Sequence, residues 1–136
     1  LRENLEILRG AIARIRESSP LVVDDYRERM LERVRTALAD HDVELDASHI
    51  IREIAIFADR CDISEEIVRF ESHLEQFEAT LELTEAAGRK LEFVSQEMGR
   101  EANTIGSKSN DVEIAAEVVT IKSSLERIRE MIQNVE

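Results

Sequence analysis

The sequence predicts an all-α fold, an elongated bundle of about six helices with an antiparallel hairpin and long, coiled-coil-like terminal helices. Three observations predict it. Apolar residues recur at steps of three and four along almost all of the 136 residues, which is the period of one helix face. Four glycines and one proline are the only strong interruptions, and no convincing strand pattern occurs. Aromatic residues make up only 4% of the chain, so the core is expected to consist of Leu, Ile, Val and Ala.

The first half of the chain is predicted to hold three helices. The first would begin at Leu1 and end at the "SSP" of residues 18–20, because a residue that precedes proline disfavours the helical conformation. The second would run from Val23 to a polar break near His41, and Asp46 would cap the third. The apolar faces assigned to these helices are Leu1, Leu5, Leu8, Ile12 and Ile15; Val23, Tyr26, Met30, Val34 and Leu38; and Ile50, Ile54, Phe57 and Cys61.

The second half is predicted to hold three more helices. A capping-box pattern begins at Asp62, a turn is expected at Gly88, Gly106 is a candidate C-cap, and a second capping box begins at Asn110. The assigned faces are Ile67, Phe70, Leu74, Phe77 and Leu81; Leu91, Val94, Met98, Ala102 and Ile105; and Ile114, Val118, Ile121, Leu125, Ile128, Ile132 and Val135. The last face has the spacing of a coiled-coil seam. The first and last helices are expected to pair, and residues 121–132 would form an association surface if no helix of the same chain covers them.

Composition restricts the class of protein. The net charge of −12 argues against a simple electrostatic nucleic-acid module, because phosphate contacts usually require a basic surface. A surplus of carboxylates nevertheless suits a metal-using site.

Cys61 is the single cysteine, so a reducing compartment is the simpler expectation. No apolar run approaches the roughly 20 residues of a membrane span, and no signal peptide is recognised. The start at Leu1, already in helical pattern, is what a fragment of a longer protein would show.

A polar cluster is predicted where the fourth and fifth helices turn back on each other. A turn centred near residue 87 would place His73 opposite Glu101, and Glu66 near residues 106–108. The expected cluster consists of Glu66, Arg69, His73, Gln96, Glu97, Arg100 and Glu101. Converging carboxylates and an imidazole would hold a divalent cation that activates water or shields a phosphate. We therefore assign the catalytic and metal-ligating roles to Glu66, His73, Glu97 and Glu101.

The segment "NTIGSKSN", residues 103–110, interrupts the charged, helix-forming sequence around it. We interpret it as a loop in which glycine, hydroxyls, a lysine and the N–H groups of a helix N-terminus bind an anion. The residues assigned to phosphate binding are Arg69, Arg100, Asn103, Thr104, Gly106, Ser107, Lys108 and Ser109. Each part also has a simpler interpretation: an acid pair one turn apart is commonly a solvated face, a single histidine is commonly structural, and such a segment is commonly a capped helix turn.

Three segments resemble the C-terminal region of the YicC/YloC-like bacterial endoribonucleases. They are "DISEEIVRFESHLEQF" (62–77), "GRKLEFVSQEMGREANTIGSKSND" (88–111) and "IREMIQNVE" (128–136). They occur in the order of the family, and the resemblance extends more loosely back to Leu1. The departures are Phe70, Gly99 and Met131, where the family more often has leucine, asparagine and glutamine.

The resemblance implies a cytoplasmic endoribonuclease that binds and cleaves RNA phosphodiester bonds, depends on Mg²⁺ or Mn²⁺, and assembles into a homo-oligomeric ring, for which six subunits are expected. It also implies a separate N-terminal α/β domain, so that residues 1–136 would be a helical C-terminal domain. "NTIGSKSN" would then contact RNA phosphate. The resemblance does not assign the catalytic residues, which rest on the predicted hairpin. Two alternatives stay open, an RNA clamp and an oligomerisation module, both without catalytic residues of their own. The RNA target, the metal, the attacking nucleophile, the domain that holds the catalytic site and the ring size also stay open.

Overall fold

A computed structural model of the chain describes residues 1–40, 47–83, 87–109 and 111–135. Within those ranges the chain is helical and contains no strand. The helices are α1 (Arg2–Asp40), α2 (Ala47–Cys61), α3 (Ser64–Leu81), α4 (Gly88–Lys108) and α5 (Val112–Val135). The all-α prediction is confirmed, whereas the prediction of about six helices is wrong, because the described residues form five.

Four of these helices build an antiparallel bundle. α1 packs against α3 and α5, and α4 packs against the same two helices from the other side. Arg14 Nε of α1 donates a hydrogen bond to Glu117 Oε1 of α5 over 2.7 Å, and Asn4 contacts Met131. Early residues of α1 therefore lie beside late residues of α5, and the predicted pairing of the first and last helices is confirmed.

The apolar face of α5 lies inside the bundle. Ile121 and Ile128 have no exposed surface, and Leu125 and Ile132 are each 7% exposed. Burying one such side chain stabilises a fold by about 1.5–3 kcal/mol, so this face contributes substantially to the bundle. The predicted seam is correct in its period, but helices of the same chain cover it, and it offers no association surface to a second copy.

Pro20 lies inside α1, and the predicted helix end at residues 18–20 is wrong. A proline in a helix interior removes one backbone hydrogen bond and costs about 3 kcal/mol. Val22, two residues further on, belongs to the buried core, and Tyr26 stacks on Phe57 of α2 with ring centroids 3.6 Å apart. These tertiary contacts hold the chain helical on both sides of the proline and offset its local cost.

The C-terminal half of α1 packs with α2. The predicted inner face of α2 is half-buried at all four positions, Ile50, Ile54, Phe57 and Cys61. Burial raises the pKa of the Cys61 thiol, as expected for a packed rather than a reactive cysteine.

The predicted break at His41 and cap at Asp46 lie outside the described residues. None of the described helices is long and apolar enough to cross a bilayer.

Candidate functional site

The predicted hairpin of the second half is formed by α3 and α4. α3 ends at Leu81 and α4 begins at Gly88, which confirms the predicted break. Lys108 Nζ of α4 lies 2.8 Å from Glu66 Oε1 of α3, so the two helices pair close to the predicted register. Buried apolar residues such as Phe70 and Met98 set this register, because both helices must turn these side chains into one core.

The interpretation of residues 103–110 as a loop is wrong for residues 103–108, which form the last turns of α4. The hydroxyl groups of Thr104 and Ser107 donate hydrogen bonds to backbone carbonyl oxygens of the same helix. A Cβ placed on Gly106 would lie 3.3 Å from Val118 Cγ1, so this glycine lets α4 and α5 approach closely. The segment is therefore mainly a helix end, and its glycine serves packing.

The break between α4 and α5 is shorter and lies slightly later than predicted. Ser109 is buried and extended, and its hydroxyl accepts the N–H of Asp111. The carboxylate of Asp111 accepts the N–H groups of Glu113 and Ile114 at 2.8 and 3.1 Å, which is the bonding of a helix N-cap. Asp111 thus caps α5, and the predicted cap Asn110 lies outside the described residues.

A network of ion pairs joins α3 to α4, and we call it the hairpin network. Its members are Glu65, Glu66, Arg69, Glu101 and Lys108. Arg69 contacts Glu101, Glu65 and Glu66 at 3.0, 3.3 and 3.5 Å, and Lys108 contacts Glu66 and the backbone oxygen of Asp62. Two cations therefore face the two buried carboxylates, Glu66 and Glu101.

Glu66 is the most deeply buried member of the hairpin network, with 4% of its side chain exposed. Burial alone would raise the pKa of its carboxyl, but the hydrogen bond from Lys108 and the charges of Lys108 and Arg69 outweigh burial and lower the pKa. The same bond to Glu66 raises the pKa of Lys108. Glu66 is thus held as a carboxylate, while its second oxygen, Oε2, is buried without a hydrogen-bond partner.

The lowered pKa of Glu66 predicts a pH dependence of stability. A carboxyl with a lower pKa in the folded state stabilises the fold above its unfolded pKa, about 4.3, and this contribution disappears as the pH falls through the folded pKa. We expect the difference in free energy of unfolding between the parent and Glu66→Gln to shrink from about pH 7 to about pH 3, as measured by urea denaturation. Glu75→Gln, which removes an exposed carboxyl from α3, is the matched control. A constant difference across this range would contradict the assignment.

The structure separates the predicted cluster into two groups. Successive residues of a helix turn by about 100°, so Glu101 faces α3 whereas Gln96, Arg100 and Asn103 line a groove on the α5 side of α4. Glu97 lies between the two groups and pairs with Arg100 at 3.2 Å. The prediction of a single cluster at the hairpin is therefore wrong in this respect.

The expected position of His73 opposite Glu101 stays a prediction, because the structure gives no contact that tests it. Among the described residues, no ion pair within 4.0 Å joins it to Glu97 or Glu101, and its Nδ1 is buried without a hydrogen-bond partner. It lies one turn beyond Arg69 and two turns beyond Glu66 on the same side of α3. An unpartnered buried nitrogen is unusual enough to require an explanation.

The four side chains assigned to a metal do not fit one within a single chain. The structure, over the ranges it describes, contains no group of three or more His, Cys, Asp or Glu side chains able to hold a metal ion. Lys108 and Arg69 already neutralise Glu66 and Glu101, while Arg100 pairs with Glu97. These carboxylates face cations of the protein instead of converging on a common point.

Comparison with known proteins decides the family. A family model described as "Endoribonuclease YicC-like, C-terminal" matches residues 15–136. The chain belongs to this family. The family resemblance inferred from residues 62–77, 88–111 and 128–136 is therefore confirmed.

Two curated relatives extend the comparison. A "Probable endoribonuclease YicC" of Clostridioides difficile (strain 630) is 47% identical over 131 residues, which cover 96% of this chain and 44% of that protein. A protein of the same name from Haemophilus influenzae (strain Rd) is 35% identical over 136 residues, which cover 100% of this chain and 46% of that protein. The YicC-like chain described here thus spans less than half the length of either relative.

Sequence reasoning missed the residues that the YicC-like chain places on α5 beside Arg100. Lys122 and Arg129 line the same groove as Gln96 and Asn103. In the sequence, the two cations belong to the polar side of an amphipathic helix, which commonly faces solvent. Their spacing of seven residues, two helical turns, predicts that they lie on the same face of the helix. The spacing does not predict that α4 lies across from this face and completes a groove.

Proposed function

We propose that this chain is the helical part of an endoribonuclease that binds and cleaves RNA phosphodiester bonds. One observation carries the proposal: the chain belongs to the YicC-like endoribonuclease family over residues 15–136. The two relatives that align with nearly the whole chain bear the printed name of probable endoribonucleases. The following roles are the ones that the geometry of the hairpin favours.

His73 is the proposed general base. Its Nδ1 is buried without a partner in the described structure, so the nitrogen of this half-buried side chain that we propose accepts a proton from an attacking hydroxyl is Nε2. Arg69 lies one turn away with about half of its side chain exposed. Its Nε, Nη1 and Nη2 each already donate to a carboxylate, which leaves two of the five N–H groups of a guanidinium to donate to a phosphate. Glu101 and Glu66 would act as positioning residues that hold Arg69 and Lys108.

Two routes of cleavage are consistent with a base at His73. In the first, the RNA 2′-hydroxyl attacks phosphorus and its proton passes to the base, while the 5′-oxygen leaves and takes a proton from water, which produces a cyclic phosphate and a 5′-hydroxyl. In the second, water attacks phosphorus and its proton passes to the base, while the 3′-oxygen leaves and takes a proton from water, which produces a 5′-phosphate and a 3′-hydroxyl. Arg69 would stabilise the developing negative charge in both routes. The end groups of the products identify the route.

A divalent metal, Mg²⁺ or Mn²⁺, stays part of the proposal because the family resemblance implies it. When bound, such an ion would stabilise charge on the phosphate. Since Glu66, His73, Glu97 and Glu101 do not converge within the described chain, we propose no ligand set from these residues alone. Other parts of the complete protein, a second copy or the RNA would have to supply the remaining ligands.

We also propose that the complete protein is cytoplasmic and forms a homo-oligomer, with a hexameric ring as the proposed assembly. The buried face of α5 is excluded as the contact. Two isoleucines of α2 are more accessible, with Ile51 68% and Ile56 39% exposed. Light scattering of the complete protein at several concentrations tests the assembly, and a constant monomeric mass would contradict it.

An RNA clamp without catalysis is the second candidate function. The ion pairing of the hairpin network favours it, because carboxylates neutralised by Lys108 and Arg69 are typical of a structural network. In that case, the bundle would hold RNA for chemistry performed elsewhere in the complete protein.

Cleavage of an end-labelled RNA tests the proposed function. The complete protein and residues 1–136 alone should be compared with and without a chelator. We expect cleavage by the complete protein that is lost with the chelator and restored by Mg²⁺ or Mn²⁺. Binding without cleavage by the complete protein would favour the clamp, and neither binding nor cleavage would contradict both functions.

A further inference from the structure

A polar groove runs between α4 and α5, on the side of α4 that faces away from the hairpin network. It has a volume of about 520 Å³. Its lining includes Gln96, Gly99, Arg100 and Asn103 on α4, and Lys122, Glu126 and Arg129 on α5. We call it the α4/α5 groove.

The charge of the α4/α5 groove is opposite to that of the chain. Three cations, Arg100, Lys122 and Arg129, and one carboxylate, Glu126, line it, whereas the whole chain has 30 acidic and 18 basic residues. Arg100 pairs with Glu97 but keeps 76% of its side chain exposed. The groove therefore concentrates exposed positive charge on an acidic protein, which favours an anionic ligand.

The two cations that α5 contributes to the groove, Lys122 and Arg129, are free to bind such a ligand. In the described structure, neither Lys122 nor Arg129 forms an ion pair within 4.0 Å, and both are exposed. Seven helical residues separate them, a rise of about 10 Å. Because this distance exceeds the size of one phosphate group, the pair suits a ligand with repeated charges better than a single small anion.

The side of the groove formed by α4 has unfilled space beside Gly99. A Cβ placed on this residue would meet no atom within 4 Å, so the packing of the bundle does not require a glycine here. The cost of a helical glycine relative to alanine is about 0.5–1 kcal/mol. Gln96 and Asn103, one turn to either side of Gly99, add amide groups that can donate hydrogen bonds to phosphate or sugar oxygens.

We propose that the α4/α5 groove binds the sugar–phosphate backbone of RNA through Arg100, Lys122 and Arg129. The inference rests on the proposed function, since RNA is the polyanion that an endoribonuclease must hold. It places these backbone contacts on the side of α4 opposite Glu101, and of the segment 103–110 taken as a loop it includes only Asn103. The contacts would be independent of base sequence, because only backbone charge and amide hydrogen bonds are available.

The test compares two double variants that remove the same charge. Lys122→Gln/Arg129→Gln removes the two cations of the α4/α5 groove. Lys90→Gln/Arg127→Gln removes two exposed cations that do not line it. Both are made in the complete protein, and binding of a labelled, mixed-sequence RNA is measured by fluorescence anisotropy at several salt concentrations, with oligomeric mass checked by light scattering.

We expect the groove variant to bind RNA about 2- to 30-fold more weakly, as two exposed ion pairs would contribute. The slope of log affinity against log salt should fall by about 1.4–1.8, since each phosphate contact contributes roughly 0.7–0.9. The control variant should bind more tightly than the groove variant, with a slope closer to that of the parent. This outcome would support the groove as the RNA-binding surface.

Four results would overturn the inference. Equal losses in the two double variants would show that only net charge matters. A changed oligomeric mass in the groove variant alone would show that the groove is a contact between copies. If all variants bind and cleave RNA as the parent does, the groove is rejected as the RNA-binding surface and the proposed function stays intact. If the parent itself neither binds nor cleaves RNA, both the groove and the proposed function are rejected.

Discussion

Replacement of His73 by glutamine should lower the rate of RNA cleavage by about 100- to 10,000-fold, the usual contribution of a general base. Glutamine keeps a polar side chain of similar length but cannot take up the proton. RNA binding should change little, because the imidazole is not one of the proposed phosphate contacts. Single-turnover cleavage and anisotropy, measured on the complete protein, separate the two effects.

The matched control for His73 is His49→Gln. His49 lies on α2, outside the hairpin network, and its replacement should leave cleavage unchanged. The pH dependence gives a second readout, since loss of a general base removes the limb that this base imposes on the pH–rate profile. Cleavage by His73→Gln at the parent rate would exclude His73 from the chemistry and favour the clamp.

Replacement of Lys108 by methionine should lower the free energy of unfolding by about 2–3 kcal/mol. The change removes the closest cation from Glu66, whose side chain is 4% exposed, and leaves Arg69 at 3.5 Å as the remaining partner. Removing one member of a buried pair typically costs about 3–5 kcal/mol, and the partial exposure of Lys108 reduces that value. Urea denaturation at neutral pH measures the effect.

The double variant Glu66→Leu/Lys108→Met should recover most of the lost stability, because it removes the buried charge as well. Lys90→Met, at an exposed position of α4, should stay within about 0.5 kcal/mol of the parent. A Lys108→Met protein as stable as the parent would show that Glu66 does not depend on this lysine. If Lys108 served only as a phosphate ligand, its replacement would be neutral for stability in the absence of RNA, so this measurement distinguishes the two roles.

The candidate site was predicted in part, and its residues show why. Glu66 and Lys108, 42 positions apart in sequence, meet because the apolar faces of α3 and α4 can enter one core in only one register. His73 and Glu101 were assigned from the same register. A register says which residues lie level with each other along two paired helices, but it does not say which way each polar side chain points around its helix. Gln96 and Arg100 therefore point into the α4/α5 groove, although they are neighbours of Glu97 and Glu101 in sequence.

The sequence by itself determined the helical class, the apolar faces, the hairpin at Gly88 and the family. These properties follow from local periodicity and from long motifs, which a single chain displays directly. Tertiary structure alone decided that α1 continues through Pro20, that residues 103–108 end a helix, that the α5 seam is covered within the chain, and that Lys122 and Arg129 share a groove with Arg100. Each of these depends on which helix lies opposite, because the free energy of packing between distant segments outweighs the local preferences that the sequence displays.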